Sequence, residues 1–208
     1  MNFQKNFDTI LKNYRLLALY TVNKLEELSR VEHILIKSNL PLIEIPLRSE
    51  QALNAIKILS SSGKLQVGAG TVRTVKEVQE AIECGANFIV CPAVIEDVIE
   101  FCLDKKIPIY PGITTPSELQ KVWEYCLKVV KFFPAEIYGG CKAISALSGP
   151  YFDMSFLPTG GIDDKNYKEY LELKEVICVG GSFIISEKIL NTMDDQNIIK
   201  YIEKLLNV

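Results

Sequence analysis

Histidine is almost absent from this chain of 208 residues: His33 is the single one. One imidazole excludes a multi-histidine metal centre, and with no G-x-S-x-G segment anywhere it argues against a serine–histidine hydrolase. His33 falls in a helical pattern, where packing or exposure accounts for it. No apolar run reaches the length needed to cross a bilayer, and the opening Met1-Asn2-Phe3-Gln4-Lys5-Asn6 has no apolar signal region. No basic block stands out, and the formal net charge of -3 argues against nucleic acid as a partner. The six cysteines, Cys84, Cys91, Cys102, Cys126, Cys141 and Cys178, form no C-x-x-C pair and mostly lie in apolar segments. They are expected to be buried, reduced thiols of a cytoplasmic protein. No linker or low-complexity stretch interrupts the chain, so residues 1–208 are read as a single domain.

Short apolar runs alternate with amphipathic stretches throughout. Candidate strands are Leu16–Tyr20, Leu42–Leu47, Leu65–Val67, Phe88–Cys91, Ile107–Tyr110, Val129–Phe132, Met154–Leu157 and Val176–Val179. A helical pattern follows each, and an extra helix, about Phe3–Asn13, precedes the first. Thr74-Val75-Lys76-Glu77 and Thr115-Pro116-Ser117-Glu118 read as capping boxes, and Gly85 as the stop of the helix that the first one opens. Strand-then-helix repeats in this number predict an α/β fold, a (β/α)8 TIM barrel with an extra N-terminal helix. A doubly wound open sheet is the alternative.

In such a barrel the chemistry gathers at the carboxyl ends of the strands. Lys131 stands between Val129-Val130 and Phe132-Phe133, in a strand expected to be almost wholly buried. Burying an ammonium ion is costly, which favours the neutral amine, and a neutral amine attacks carbonyl carbon. That placement points to Schiff-base chemistry. Glu44 interrupts the apolar run Pro41–Leu47 and shares a strand face with Leu42 and Pro46. Inside a barrel it needs an ion-pair partner or a proton to move. Arg48 follows at the strand end, where its planar fork suits a substrate carboxylate. Thr159-Gly160-Gly161 and Gly180-Gly181-Ser182 close the seventh and eighth expected strands. Glycine-rich turns at those two positions, with short helices after them, suit a phosphate group. Gly68-Ala69-Gly70-Thr71 lacks the third glycine and the distant acid of a dinucleotide fingerprint, and is read as a tight turn that lets Thr71 face the site.

Taken in order, these segments resemble the 2-keto-3-deoxy-6-phosphogluconate (KDPG) and 4-hydroxy-2-oxoglutarate (KHG) aldolases. The resemblance runs through Asn23-Lys24-Leu25-Glu26, Glu44 with Leu47-Arg48-Ser49-Glu50, and Val67-Gly68-Ala69-Gly70-Thr71-Val72. It continues through Tyr110-Pro111-Gly112-Ile113-Thr114-Thr115, Lys131-Phe132-Phe133-Pro134-Ala135-Glu136, Gly139-Gly140, Pro158-Thr159-Gly160-Gly161-Ile162 and Gly180-Gly181-Ser182. It implies a class I aldolase, a carbon–carbon lyase, with Lys131 as the Schiff-base residue and Glu44 as acid and base. It further implies that Arg48, Thr71 and Pro92 hold the pyruvyl end, and that Thr159, Gly160, Gly161, Gly181 and Ser182 hold the phosphate. The implied partner is a 2-keto-3-deoxy sugar acid phosphate, in a homotrimer that uses neither metal nor cofactor.

The chain departs from the family's usual pattern at Pro46, Ser49, Cys91-Pro92-Ala93 and Phe183, which bears on substrate preference. Two alternatives stand beside the gluconate-derived substrate. One is the 2-keto-3-deoxy-6-phosphogalactonate aldolases, which often carry an arginine near the end of strand one, where this chain has Leu19-Tyr20-Thr21-Val22-Asn23. The other is a non-catalytic sugar-phosphate-binding barrel, in which Glu44 and Lys131 form only an ion pair.

Overall fold

The computed structural model describes residues 1–207 and alternates strand and helix throughout. Helix α1 (Asn2–Tyr14) leads into β1 (Leu16–Leu19), a short 3-10 turn (Leu25–Glu27) and α2 (Leu28–Lys37). There follow β2 (Leu42–Pro46), α3 (Ala52–Ser61), β3 (Gln66–Gly70), α4 (Val75–Glu83), β4 (Phe88–Val90) and α5 (Glu96–Asp104). The second half holds β5 (Ile109–Tyr110), β6 (Gly112–Ile113), α6 (Pro116–Glu124), β7 (Val129–Phe132) and α7 (Gly140–Ser148). Last come β8 (Ser155–Pro158), α8 (Tyr167–Leu171), β9 (Val179–Gly181), α9 (Glu187–Thr192) and α10 (Asp195–Leu206).

The fold is α/β, built on a curled parallel sheet of six strands in the order β5-β4-β3-β2-β1-β9. Three further parallel strands, β6-β7-β8, form a second sheet. The two sheets approach each other at both edges. On one side only Pro111 separates β5 from β6, and its carbonyl accepts from the Lys131 amide at 2.9 Å. On the other, isolated bridges join Phe156 to Val176 and Thr159 to Gly180.

Each expected strand meets an observed one, and the differences have local causes. The third runs on to Gly70 because Gly68 and Gly70 give way to large neighbours. A Cβ at Gly68 would lie 2.2 Å from the Phe88 ring, and one at Gly70 would lie 2.0 Å from Glu44 Oε1. The fifth breaks at Pro111, which has no N–H to give either neighbour, and resumes as β6. The eighth overlaps β9 only at Val179. Val176 and Ile177 first follow β8, with the Ile177 amide donating to Phe156 O at 3.1 Å; the Val179 amide then donates to Arg15 O at 2.8 Å as the chain crosses to β1.

One cluster of buried apolar side chains runs from Phe7 to Leu205. Helix α1 is bound to the sheet by polar as well as apolar contacts. Phe7 packs on Phe88 with ring centroids 4.6 Å apart, and the Tyr110 hydroxyl donates to Asp8 at 3.0 Å. Buried Gln4 accepts from the Ile109 amide at 3.0 Å and donates to the Ile109 carbonyl at 3.4 Å. No helix among the described residues is long and apolar enough to cross a membrane. The cysteine expectation needs correction. All six thiols are free, but only Cys91, Cys102 and Cys178 are buried; Cys84 and Cys141 are half-buried and Cys126 is exposed. Cys126 ends the turn after α6 at a φ of 59° and points away from the core that its apolar neighbours enter. His33 is exposed on α2.

Both capping boxes are present, at Thr74/Glu77 and Thr115/Glu118. Burial alone would push the Glu118 carboxyl up. The backbone and hydroxyl donors of Thr114 and Thr115 outweigh it and hold the group below its ordinary value. A carboxyl lowered by folding stabilises above its unfolded value and loses that contribution as pH falls through its folded one. Replacing Thr115 with alanine should cost about 1 kcal/mol in denaturant unfolding. The stability advantage of the wild type over Glu118→Gln should shrink on acidification below about pH 4.3; a pH-independent difference would contradict this account.

Candidate active site

The carboxyl ends of the strands surround a cavity of about 400 Å³. All the residues singled out in the sequence line it: Lys131, Glu44, Arg48, Thr71, Pro92, Thr159, Gly160, Gly161, Gly181 and Ser182. They come from β2, β7 and β9 and from the turns that follow β2, β3, β4, β8 and β9, so only the folded sheet brings them together.

Lys131 sits on β7 in register with Gly112 and Leu157, and Glu44 on β2 in register with Leu19 and Gly68. Their side chains meet in the middle, with Lys131 Nζ 3.6 Å from Glu44 Oε1. Lys131 is 5% exposed and Glu44 1%. Removing both charges from water costs several kcal/mol per ion, which only a fully hydrogen-bonded pair recovers. This pair is not fully bonded, because Glu44 Oε2 makes no hydrogen bond within the protein. As a structural staple the arrangement is poor. As a place where an amine can add to a carbonyl carbon beside a carboxylate that moves the protons, it is well made. The Lys131 Nζ also lies 5.0 Å from the centroid of the Phe133 ring.

The turn after β3 contributes Thr71 to the cavity lining, and β3 itself makes room for Glu44. Gly70 lets Glu44 lie flat across the strand, since any side chain at that position would occupy the carboxylate's place. Thr71 follows with a φ of 58°. A β-branched residue in the left-handed region is strained by roughly 1–3 kcal/mol, and here the strain turns the end of β3 along the cavity. Arg48 stands exposed at the rim, paired with no carboxylate among the described residues.

At the other end of the cavity Gly160 and Gly161 have φ of 93° and 80°. Consecutive left-handed residues let successive backbone amides line a concave anion site. Thr159, 1% exposed, has an Oγ1 with no hydrogen bond inside the protein, and Ser182 closes the same end. The expected helix ends are not at hand. Helix α8 starts only at Tyr167 and α9 only at Glu187, and each is short. This end of the cavity therefore presents backbone amides and hydroxyls and no helix N-terminus.

Four lining residues were not anticipated: Leu19, Thr21, Phe133 and Ile162. The alternation of β1 puts Leu19 and Thr21 on one face, and that signal could have found them. Cys91, beside this site, is inert as a nucleophile: burial pushes its thiol up, and its neighbour Cys102 adds to the effect. No three His, Cys, Asp or Glu side chains converge as metal ligands among the described residues.

Comparison with known proteins agrees with this geometry. The family model for KDPG and KHG aldolase matches residues 7–201. The chain is 37% identical over 200 residues to the KHG/KDPG aldolase of Escherichia coli K12, covering 96% of this chain and 94% of that one. It superposes on the 2-keto-3-deoxy-6-phosphogluconate aldolase of Zymomonas mobilis, crystallised with 3-phosphoglycerate, with a TM-score of 0.91 at 27% identity over 98% and 96% of the two chains. It superposes equally on the KDPG aldolase of Legionella pneumophila, solved with pyruvate captured as a covalent carbinolamine, with a TM-score of 0.90 at 29% identity over 95% and 96%. An aldolase family whose model spans nearly the whole chain, with a member 37% identical to it over 200 residues, leaves one assignment: the chain belongs to the KDPG and KHG aldolase family.

Proposed function

We propose that this protein is a class I aldolase that cleaves 2-dehydro-3-deoxy-6-phosphogluconate to pyruvate and glyceraldehyde 3-phosphate, and also 4-hydroxy-2-oxoglutarate to pyruvate and glyoxylate. The observation that carries the reading is the buried Lys131–Glu44 pair at 3.6 Å inside a cavity with a glycine-lined anion end. The carbinolamine captured in the Legionella relative supports covalent capture of a 2-keto acid by an amine. In this reading the two sheets act as one closed (β/α)8 barrel, completed across Pro111 and the Thr159–Gly180 bridge. Residues 1–208 form its single domain, with α1 as an added helix. The protein works in the cytoplasm as a homotrimer without cofactor. Exposed Ile137 and Tyr138, in the turn between β7 and α7, support burial of that surface between copies.

Glu44 takes a proton from the Lys131 ammonium, neutral Lys131 attacks the C2 ketone, and Glu44 returns that proton to the carbinolamine hydroxyl, which leaves as water and gives an iminium ion. Glu44 takes the proton of the C4 hydroxyl. The C3–C4 bond breaks, its electrons pass into the iminium to give a neutral enamine, and the aldehyde leaves. Glu44 returns its proton to C3 of the enamine. Water then hydrolyses the resulting iminium, which frees pyruvate and Lys131. Glu44 Oε2, the oxygen with no bond inside the protein, is free for this traffic. Arg48, Thr71 and Pro92 hold the pyruvyl end, while Thr159, Gly160, Gly161, Gly181 and Ser182 hold the phosphate. Leu19 ends β1 and Thr21 follows two residues later, both on the cavity lining. The absence of an arginine there favours the gluconate-derived substrate over its galactonate counterpart.

Borohydride with pyruvate should attach three carbons to Lys131, and Lys131→Ala should have no turnover; mass spectrometry placing the label on another lysine would overturn the mechanism. Glu44→Gln should lose about 10²–10⁴-fold in kcat, and wild-type kinetics in that variant would remove Glu44 from its role. Ser182→Ala should raise KM for the phosphorylated substrate and spare 4-hydroxy-2-oxoglutarate. An equal effect on both would argue against a phosphate contact.

A further inference from the structure

Glu136 lies outside the cavity lining and is exposed, yet it stands where three elements of the site meet. It lies in the turn after β7, which runs from Phe133 to Gly139 and follows directly on the strand that carries Lys131. Its amide donates to Gly160 O at 3.1 Å, and the amide of Ala135 donates to Thr159 O at 2.8 Å, so the turn runs as a ladder beside the glycine loop. A Cβ at Gly161 would lie 2.6 Å from Glu136 Cβ, which shows how tightly the Glu136 stem is pressed on that loop. The Glu136 carboxylate then accepts from the hydroxyl of Tyr170 on α8. Tyr170 is 1% exposed. Burial, and next the carboxylate itself, push its hydroxyl up, so it keeps its proton and remains the donor. The same contact reaches the start of α7: a Cβ at Gly140 would lie 2.9 Å from the Tyr170 hydroxyl and 3.3 Å from Glu136 Oε1.

We infer that Glu136, held by Tyr170, is a positioning residue that fixes the Gly160–Gly161 loop against the Lys131 turn and so sets the shape of the anion end of the cavity. The inference deepens the aldolase reading and rests on it for the identity of the anion, a phosphate monoester. The carboxylate is otherwise ill suited to this spot, because an unengaged negative charge behind the glycine loop would repel the phosphate it faces. Engaged by a buried hydroxyl, it acts as a clamp. Lys131 has its own anchors, through the amide bond to Pro111 O and the pairing with β8, so loosening the clamp should disturb the phosphate end far more than the amine.

Tyr170→Phe, which keeps the packing, and Glu136→Ala should each raise KM for the phosphorylated substrate about tenfold, the scale of one charge-assisted hydrogen bond. KM for 4-hydroxy-2-oxoglutarate and the rate of borohydride trapping with pyruvate should stay within about twofold, as expected for a contact that acts on one end of the ligand only. Glu136→Gln keeps an acceptor for the Tyr170 hydroxyl and should restore most of the affinity. Calorimetric titration with inorganic phosphate should show the same order of weakening without relying on turnover. Equal losses on both substrates, unchanged phosphate affinity in Tyr170→Phe, or a Gln variant as weak as the Ala variant would each overturn the inference. Absence of pyruvate trapping in the wild type would overturn the aldolase reading instead, and the phosphate titration would still decide the role of Glu136.

Discussion

The site depends on keeping an amine and a carboxylate together out of water. Neither Lys131 nor Glu44 belongs inside a packed sheet on grounds of stability, and apolar residues would fill their places at lower cost. Their neighbours are arranged around that cost. Gly70 yields its side-chain volume to Glu44, Phe133 offers a ring face to Lys131, and parallel strands on either side fix both backbones. Glu44 is set between β1 and β3 of one sheet and Lys131 between β6 and β8 of the other, so their separation is a property of the whole fold and not of one loop.

Electrostatics divides the cavity into two ends. One end has Arg48 and strained Thr71, the other the left-handed glycines with Thr159 and Ser182. Two buried oxygens of the lining, Glu44 Oε2 and Thr159 Oγ1, find no partner inside the protein. An unmade hydrogen bond in a buried group costs about 1–3 kcal/mol, a cost that a bound molecule with matching hydroxyl and ketone groups can remove.

Much of this could be read from residues alone, because the unusual residues interrupt apolar runs. A lysine flanked by Val-Val and Phe-Phe, and a glutamate inside Leu-Ile-x-Ile-Pro, break the continuous apolar runs of fully buried strands and so reveal themselves. The glycine loops were visible for the same reason. Less visible were features that depend on two segments at once. The extension of β3 through Gly68 and Gly70 follows from the bulk of Phe88 and Glu44 in neighbouring strands, and no local propensity predicts it. The shift of β9 arises from competition between β8 and β1 for the same chain. The short helices after the glycine loops were overestimated because a helical pattern in Tyr167–Leu171 and Glu187–Thr192 says little about how far the chain travels before it begins.

The amide of Gln4 answers both backbone groups of Ile109, at the edge where β5 has lost its sheet partner before Pro111. One side chain from the leading helix thus takes the place of a strand residue and seals the floor of the structure on the face opposite the chemistry. Helix α1 is therefore a closing piece: it must wait for β5 before its buried amide is satisfied, which ties this helix to the middle of the chain and gives the fold a reason to close as one unit.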